Sequence, residues 1–490
     1  MNHRLKPYPA YKDSGVLWLG EVPEHWDIKP IGRLGFLLKG RGRSKADEIP
    51  QGKPCIRYGD LYTQHEYHIN QTRAFISKES ACYYTPIEYG DILFAASGET
   101  IEDIGRSAVN LINSETFCGG DVLLFRPKIE FIPRYLGYAS DSPASRHQKA
   151  CMGKGFTVIH IYGSQLRGLT VPIPPLPEQS TIVRYLDYVD RRIQRYIRAK
   201  QKLIMLLEEQ KQAIIHQAVT GRIDVRTGKP YPAYKPSGVE WLGDVPEHWE
   251  MTRLKRVSRV QTGITLGKNY GNLPLVERPY LRVANVQAGR MDLMLIKTIR
   301  VPIEEANRST LEPGDVLMTE GGDIDKLGRG CIWRGEILGC LHQNHVFAVR
   351  PFHKQLMPEF LVALIGSLLG RRYFQLTAKQ TTNLAATNST TLGDFPFPLP
   401  SVHEQRKAIE WISEQSNQLD IANEKASNEI VLLGEYRTRL ISDVVTGKLD
   451  VREAAANLPE ELEEELPEDQ GQEDEADAGL DDEEQDEEEE

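Results

Sequence analysis

Apolar side chains recur at alternating steps of three and four in two long stretches of the chain. In Glu178–Val219 the stripe is Ile182, Leu186, Val189, Ile193, Tyr196, Leu203, Leu207 and Ile214, with Lys200 and Gln210 as polar breaks. In Glu404–Val445 it is Ala408, Ile412, Leu419, Ala422, Ala426, Leu433, Tyr436 and Leu440, broken by Gln415 and Glu429. A heptad-like seam with no internal proline predicts a long helix in each. In both stretches the last residue lies 41 positions after the first although the sequences diverge, so length is being held. Gly221 and Gly447 stand just past the last turns, where a left-handed cap is favoured. A one-sided stripe needs a partner. The natural partner for each helix is the other, and the domain between them makes the pair antiparallel. The alternative is two helices packed separately on their own domains.

Elsewhere the pattern changes to short apolar, β-rich runs bounded by Gly and Pro, which read as strands. These runs come in pairs. PCIRYGDL (Pro54–Leu61) faces PYLRVANV (Pro279–Val286), and GDIL (Gly90–Leu93) faces GDVL (Gly314–Leu317). Gly105-Arg106 faces Gly328-Arg329, and VLLFRP (Val122–Pro127) faces VFAVRP (Val346–Pro351), all at an offset of 223–226. Upstream, Lys6–Trp26 and Lys229–Trp249 match at 18 of 21 positions and end in VPEHW. Downstream, VPIPPLPEQ and FPLPSVHEQ introduce the helices, and VTGRIDV (Val219–Val225) returns as VTGKLDV (Val445–Val451). The period is far too long for a solenoid. It marks a duplicated α+β domain followed by a long helix, with strands kept and loops diverged. The joint VTGRIDVRTGKPYPAYK is continuous in the middle of the chain, whereas its counterpart is split between Val445–Val451 and Lys6–Lys12. Those two ends are therefore expected to meet.

Charge alters this picture in one respect. The net charge of −11 is carried by the C-terminus, where Asn457–Glu490 holds 20 Asp and Glu and no Lys or Arg, leaving −11 − (−20) = +9 on residues 1–456. The tail reads as disordered. The basic remainder is compatible with a polyanionic partner, a weak signal by itself. Cys55, Cys82, Cys118, Cys151, Cys331 and Cys340 are scattered singly, so neither a zinc site nor a disulfide framework is expected, and a reducing cytoplasm is the simplest compartment. No apolar run approaches the length of a membrane span, and the first residues lack a signal-peptide core.

Catalytic motifs are missing. GITLGKN (Gly263–Asn269) has the wrong glycine spacing for a phosphate loop, and no GxGxxG, HExxH or GxSxG occurs. No Asp/Asn-Pro-Pro-aromatic run typical of amino-methyltransferases is present. His25 and His248 recur beside Trp inside PEHW and read as packed structural residues rather than general bases. A self-contained enzyme is thus disfavoured.

The paired SGVxWLGxVPEHW phrases, the Pro-rich EQ approaches and the paired VTGxxDV ends resemble the specificity subunits of type I restriction-modification enzymes, over about residues 6–451. PCIRYGDLYT and ASGETIEDIG also resemble that family's target-recognition domains. The resemblance implies two target-recognition domains in tandem, each followed by a long helix, the helices forming an antiparallel coiled coil with pseudo-two-fold symmetry. The expected division is 1–176 for the first recognition domain with its opening phrase and 177–221 for its helix. It continues with 222–402 and 403–451 for the second copy and 452–490 for a disordered acidic tail. The resemblance further implies a non-catalytic chain that reads a bipartite, asymmetric site in double-stranded DNA and docks two methylation subunits. Motor-nuclease subunits join these, and S-adenosylmethionine, ATP and Mg²⁺ sit on the partners. The acidic tail departs from the family pattern. The alternative reading is a nucleic-acid-binding scaffold of another multisubunit defence or modification enzyme.

Phosphate contacts call for cations, hydroxyls and backbone amides, and base readout calls for side chains that reach groove edges. In the first domain the glycine-rich GRGRSK offers Arg41, Arg43, Ser44 and Lys45, unless that loop is merely solvated. At the aligned place in the second stand Lys268, Asn269 and Tyr270. The loops after GDIL and GDVL carry Ser97, Glu99 and Thr100, and Glu320 and Asp323. Their carboxylates either accept from cytosine amino groups or cap a turn. Lys149 and Lys154 fall, at the same offset, near Lys379, Gln380, Thr382 and Asn383. Arg57 and Arg282 occupy matched strand positions, where a structural role is as natural as DNA contact.

Overall fold

The computed structural model describes residues 5–43, 47–156, 158–287, 289–322, 328, 330–380 and 385–459. The chain divides into two compact units: Met1–Ile193 together with the chain from Glu435 onward, and Gln194–Gly434. Each long helix, Leu176–Val219 and Val402–Val445, contributes one end to each unit.

The first unit is built on a five-stranded sheet in the order Gly35–Lys39, Val122–Pro127, Ile92–Ala95, Ser107–Asn110, Tyr67–Ile69. Only its last pair is parallel. The near-continuous apolar runs of the central strands follow from burial on both faces, because successive strand side chains alternate. Ile92, Phe94, Leu123 and Phe125 enter one core, while Leu93, Ala95, Val122 and Leu124 enter another. A smaller five-stranded sheet includes Lys53–Ile56 and Thr116–Cys118, and the helix Pro133–Asp141 packs across the large sheet.

The second unit repeats this plan with a four-stranded sheet, Ser258–Thr262, Val346–Pro351, Val316–Thr319, Gly330–Ile332. Val316, Met318, Phe347 and Val349 face one core, and Leu317, Val346 and Ala348 the other. Its helix Pro358–Gly366 also opens on proline, which fits the first helical turn without loss of a needed donor.

The paired landmarks are paired contacts. Arg126 grips the buried Asp91 with two hydrogen bonds (2.9 and 2.7 Å), and Arg350 grips Asp315 in the same way (2.7 and 2.8 Å). Each Asp also accepts from a backbone amide three residues upstream, that of Glu88 or Glu312. Gly90 and Gly314 between them have φ of +90° and +96°, which an L side chain would strain.

The opening phrases close onto the helices. Trp26 and Trp249 are buried, and His25 and His248 bond Glu178 and Glu404, each at 2.8 Å. The adjacent Gln179 and Gln405 accept from the amides of Ile132 and Met357 and donate to the carbonyls of Pro174 and Pro400. The EQ dipeptide is thus a clamp, and the repeated histidines are structural, as the sequence suggests. Tyr11 and Tyr234 each donate a hydroxyl hydrogen bond, at 3.1 Å, to the carbonyls of Gly447 and Gly221. In the second unit the Asp224 amide bonds the Lys229 carbonyl at 2.7 Å; in the first, Asp450 bonds Lys6 at 2.8 Å. The split joint therefore closes as expected.

Two expectations need correction. The tail does not begin at 452: a short helix, Arg452–Ala456, packs Ala455 into the first unit. Residues 460–490 lie outside the described residues. The seam is also narrower than the stripe. Ile182, Leu186, Ile193, Ala408, Ala426 and Leu440 are buried, but Tyr196, Leu203 and Tyr436 are exposed. In the second unit the helices run antiparallel, with Lys200 bonded to Glu429 and Lys211 to Asp420, each at 2.6 Å. In the first unit Arg437 bonds Asp190. Lys200 and Glu429, two polar breaks in the stripe, face each other, and such a pair favours one register over others.

Candidate nucleic-acid interface

In the first unit the sheet brings three loops to one edge. The loop from Gly40 leaves the strand Gly35–Lys39, anchored by the Gly40 amide on the Val122 carbonyl (2.7 Å) and the Arg41 amide on Thr85 Oγ1 (2.9 Å). Both arginine side chains are exposed, and the Arg43 guanidinium lies 3.5 Å from the centroid of the Tyr83 ring. Ser44 and Lys45 lie outside the described residues. The second loop starts at the two-residue strand Ser97–Gly98, which pairs with Ile159–His160. Lys154 bridges His160 through the backbone and so delivers the third loop. Glu99 and Thr100 are exposed, and Thr100 Oγ1 donates to Asp103 (3.3 Å), so this acidic loop caps its own turn. Ser97 is largely buried, and its Oγ bonds His160 Nδ1 at 3.0 Å.

Lys149 is a correction. It is 0% exposed, and its Nζ bonds Asp141 Oδ1 (2.7 Å), Ser107 Oγ (3.1 Å) and the Ser140 carbonyl (3.1 Å). A fully buried, ion-paired ammonium cannot meet a phosphate. Burial works to raise the Asp141 pKa, but Lys149, Arg146 and Arg106 together hold it below the ordinary carboxylate value. The cluster ties the helix Pro143–Met152 to the strand Ser107–Asn110 beneath the loops.

The second unit gathers the equivalent loops. Ile264 makes a backbone bridge to Gln343. Gly321–Gly322, Ala385–Ala386 and Lys379–Gln380 form a small sheet. Lys268 Nζ pairs with Glu305 (3.1 Å) beside the Tyr270 ring, and Asn269 Oδ1 accepts from the Gly271 amide (2.8 Å). Burial and the Glu305 carboxylate push the Tyr270 hydroxyl up to about 12. Glu320 Oε2 meets His345 Nδ1 at 2.5 Å, and the Lys379 side chain is exposed. Asp323, Thr382 and Asn383 lie outside the described residues, as does the Gln380 side chain.

Sequence reasoning did not single out His160, Asp121 or His345. Asp121 and His345 precede the paired VLLFRP and VFAVRP runs, so the offset alone could have found those two. The backbone confirms their equivalence: the Asp121 carbonyl accepts from the Ala96 amide (2.7 Å), and the His345 carbonyl from Glu320 (2.8 Å).

Fold and loop clusters together define a recognition domain written twice and mounted on paired helices. Among the described residues no cluster of three or more His, Cys, Asp or Glu is placed to hold a metal, and no helix is long and apolar enough to cross a membrane. A family model, the type I restriction modification DNA specificity domain, matches residues 23–203. The chain is 22% identical over 447 residues to the type I restriction enzyme EcoKI specificity subunit of Escherichia coli K12, covering 89% of this chain and 92% of that one. It is 21% identical to the StySPI specificity subunit of Salmonella potsdam, over 89% and 92% of the two chains. A solved chain from work on complex assembly and conformational transition of the type I R-M system matches with a TM-score of 0.62. That match, at 17% identity over 87% of this chain and 99% of the other, speaks to the fold alone. In sequence and in fold the chain is thus similar to type I restriction-modification specificity subunits.

Proposed function

We propose that this chain is the sequence-specific DNA-recognition and scaffold subunit of a type I restriction-modification complex. One observation carries the reading. The same scaffold, closed by the same His–Glu and Asp–Arg pairs, presents unlike side chains in its two loop clusters. A symmetric dimer reads a palindrome. A fused and diverged pair reads two different half-sites, one from residues 27–176 and one from 250–402. Arg41, Arg43 and Lys154 supply cations in the first, and Lys268 and Lys379 in the second. Glu99, Thr100, Asn269, Tyr270 and Glu320 are the neighbouring polar and aromatic contacts.

The helices serve the scaffold role. Leu203, Met205, Leu206, Val431 and Leu432 are exposed apolar side chains on them, more than isolated surface residues account for. We assign them to the docking of methylation subunits. The chain itself is non-catalytic. S-adenosylmethionine is held by the methylation subunits, ATP and Mg²⁺ by the motor-nuclease subunits, and assembly takes place in the cytoplasm.

The assembled complex carrying Arg41→Ala and Arg43→Ala tests the interface. Each phosphate contact removed should lower the slope of log K against log salt by about one unit, alike for all sequences. Affinity and slope both unchanged would remove this loop from the interface.

A further inference from the structure

A cavity of about 580 Å³ opens beside the three loops of the first unit. Apolar and polar side chains line it together, the latter including Lys39, Ser97, Asp121, His160, Tyr162 and Arg167. Apolar walls with a few placed polar groups are the usual makeup of a ligand subsite. Asp121 is held at φ +55°, a left-handed conformation uncommon for any residue but glycine. Strain of this kind persists where surrounding structure enforces it, commonly at functional positions. The Asp121 carbonyl accepts a hydrogen bond from the Ala96 amide. Its carboxylate is exposed and has no hydrogen-bond partner among the described residues. His160 is fixed through Nδ1 by Ser97 Oγ, which leaves Nε2 for a ligand. Lys39, Tyr162 and Arg167 are exposed around the same opening. Two cations beside an aromatic face and a lone acceptor suit one nucleotide's phosphate and base edge.

We propose that this cavity is a base-reading subsite of the first recognition domain, an assignment that rests on the DNA-recognition reading above. Asp121 takes the exocyclic amino group of a cytosine or adenine, because an ionised carboxylate accepts hydrogen bonds and donates none. His160 is the second contact to that base, and Ser97 positions its ring. Lys39 and Arg167 hold the flanking phosphates. The equivalent position in the second unit explains why the half-sites differ. There His345 replaces Asp121, and its ring is tied to Glu320, which stands where the first unit has Ala96. The aligned position thus offers a free carboxylate in one domain and a paired imidazole in the other.

Asp121→Asn is the informative change. Asparagine tolerates the left-handed conformation, keeps the shape and adds a donor. Cells carrying the complete system are assayed by mapping methylated adenines across the genome, with wild type, Asp121→Asn and His160→Ala in parallel. Asp121→Asn should change or relax one position of one half-site, with discrimination there falling roughly tenfold or more. His160→Ala should relax the same or the adjacent position. The other half-site should be untouched in both. A wild-type motif returned unchanged by both variants overturns the subsite while leaving the DNA-recognition reading intact. Absence of any bipartite motif from wild type overturns that reading itself.

Discussion

Replacing Lys149 by methionine separates the role its composition suggests from the role its surroundings impose. The side chain keeps its length and apolar stem, so no cavity forms, but the ammonium is lost. Three bonds disappear, to Asp141 Oδ1, Ser107 Oγ and the Ser140 carbonyl. Asp141 stays buried. Its Oδ2 keeps Arg146 through bonds of 3.0 and 2.8 Å, while Oδ1 falls back on the Ser107 amide at 3.1 Å and hydroxyl at 3.3 Å. Removing one partner of a buried ion pair costs about 3–5 kcal/mol, and the surviving arginine puts this case near 3 kcal/mol. For a unit of this size that lowers the melting temperature by roughly 6–12 °C. Calorimetry of wild type and Lys149→Met reads the shift, and salt titration of DNA binding by the assembled complex reads the other quantity. The salt slope should not move, because a buried ammonium releases no counterion. An unchanged melting temperature with a slope lower by about one unit would restore Lys149 as a phosphate contact and refute the burial argument.

Two further outcomes follow from the same contacts. A Cβ on Gly447, at φ +77°, would lie 2.2 Å from Pro23 Cδ, whereas Gly15, at φ +68°, has nothing within 4 Å. Gly447→Ala should therefore destabilise the first unit by about 1–3 kcal/mol more than Gly15→Ala, and equal melting temperatures would show that the closing joint tolerates displacement. Burial lowers the His68 pKa from 6.5 to about 4. The unfolded chain then binds more protons between those values, so this contribution is full above pH 6.5 and is lost as pH falls toward 4, amounting to about 3 kcal/mol at most. His68→Gln should flatten the stability curve of the first unit across that window, and an identical curve would place the pH sensitivity elsewhere.

The duplication, the long helices and the matched strands were legible because each leaves a period or an offset in the sequence. The closing glycines were legible for the same reason. What the matched landmarks do was not. Asp91 and Arg126 are 35 positions apart, and only the antiparallel pairing of their strands brings carboxylate and guanidinium together. Lys149 misled because its partner Asp141 lies in the preceding helix, across the break at Ser142–Pro143, so neither heptad spacing nor composition links them. The seam failed at Tyr196, Leu203 and Tyr436 because a three-four pattern counts every apolar residue along the stripe and does not separate those that are buried from those left exposed. Lys200 and Glu429 read as separate defects, and only the register of the two helices joins them. Asp121 escaped notice because a single aspartate carries no pattern. Its signature is a backbone angle.

The central claim is that two diverged copies of one domain read two half-sites independently. It is tested most directly by exchanging residues 27–176, at the boundaries Trp26 and Pro177, for the equivalent domain of a related subunit. Methylated adenines are then mapped in cells that carry the chimera with the original partner subunits. The opening phrases, clamps and helices are untouched, so assembly should persist. The account predicts a motif in which one half-site is replaced and the other is retained. A map in which both half-sites change together would contradict it, because the two domains would then be reading DNA as a single surface.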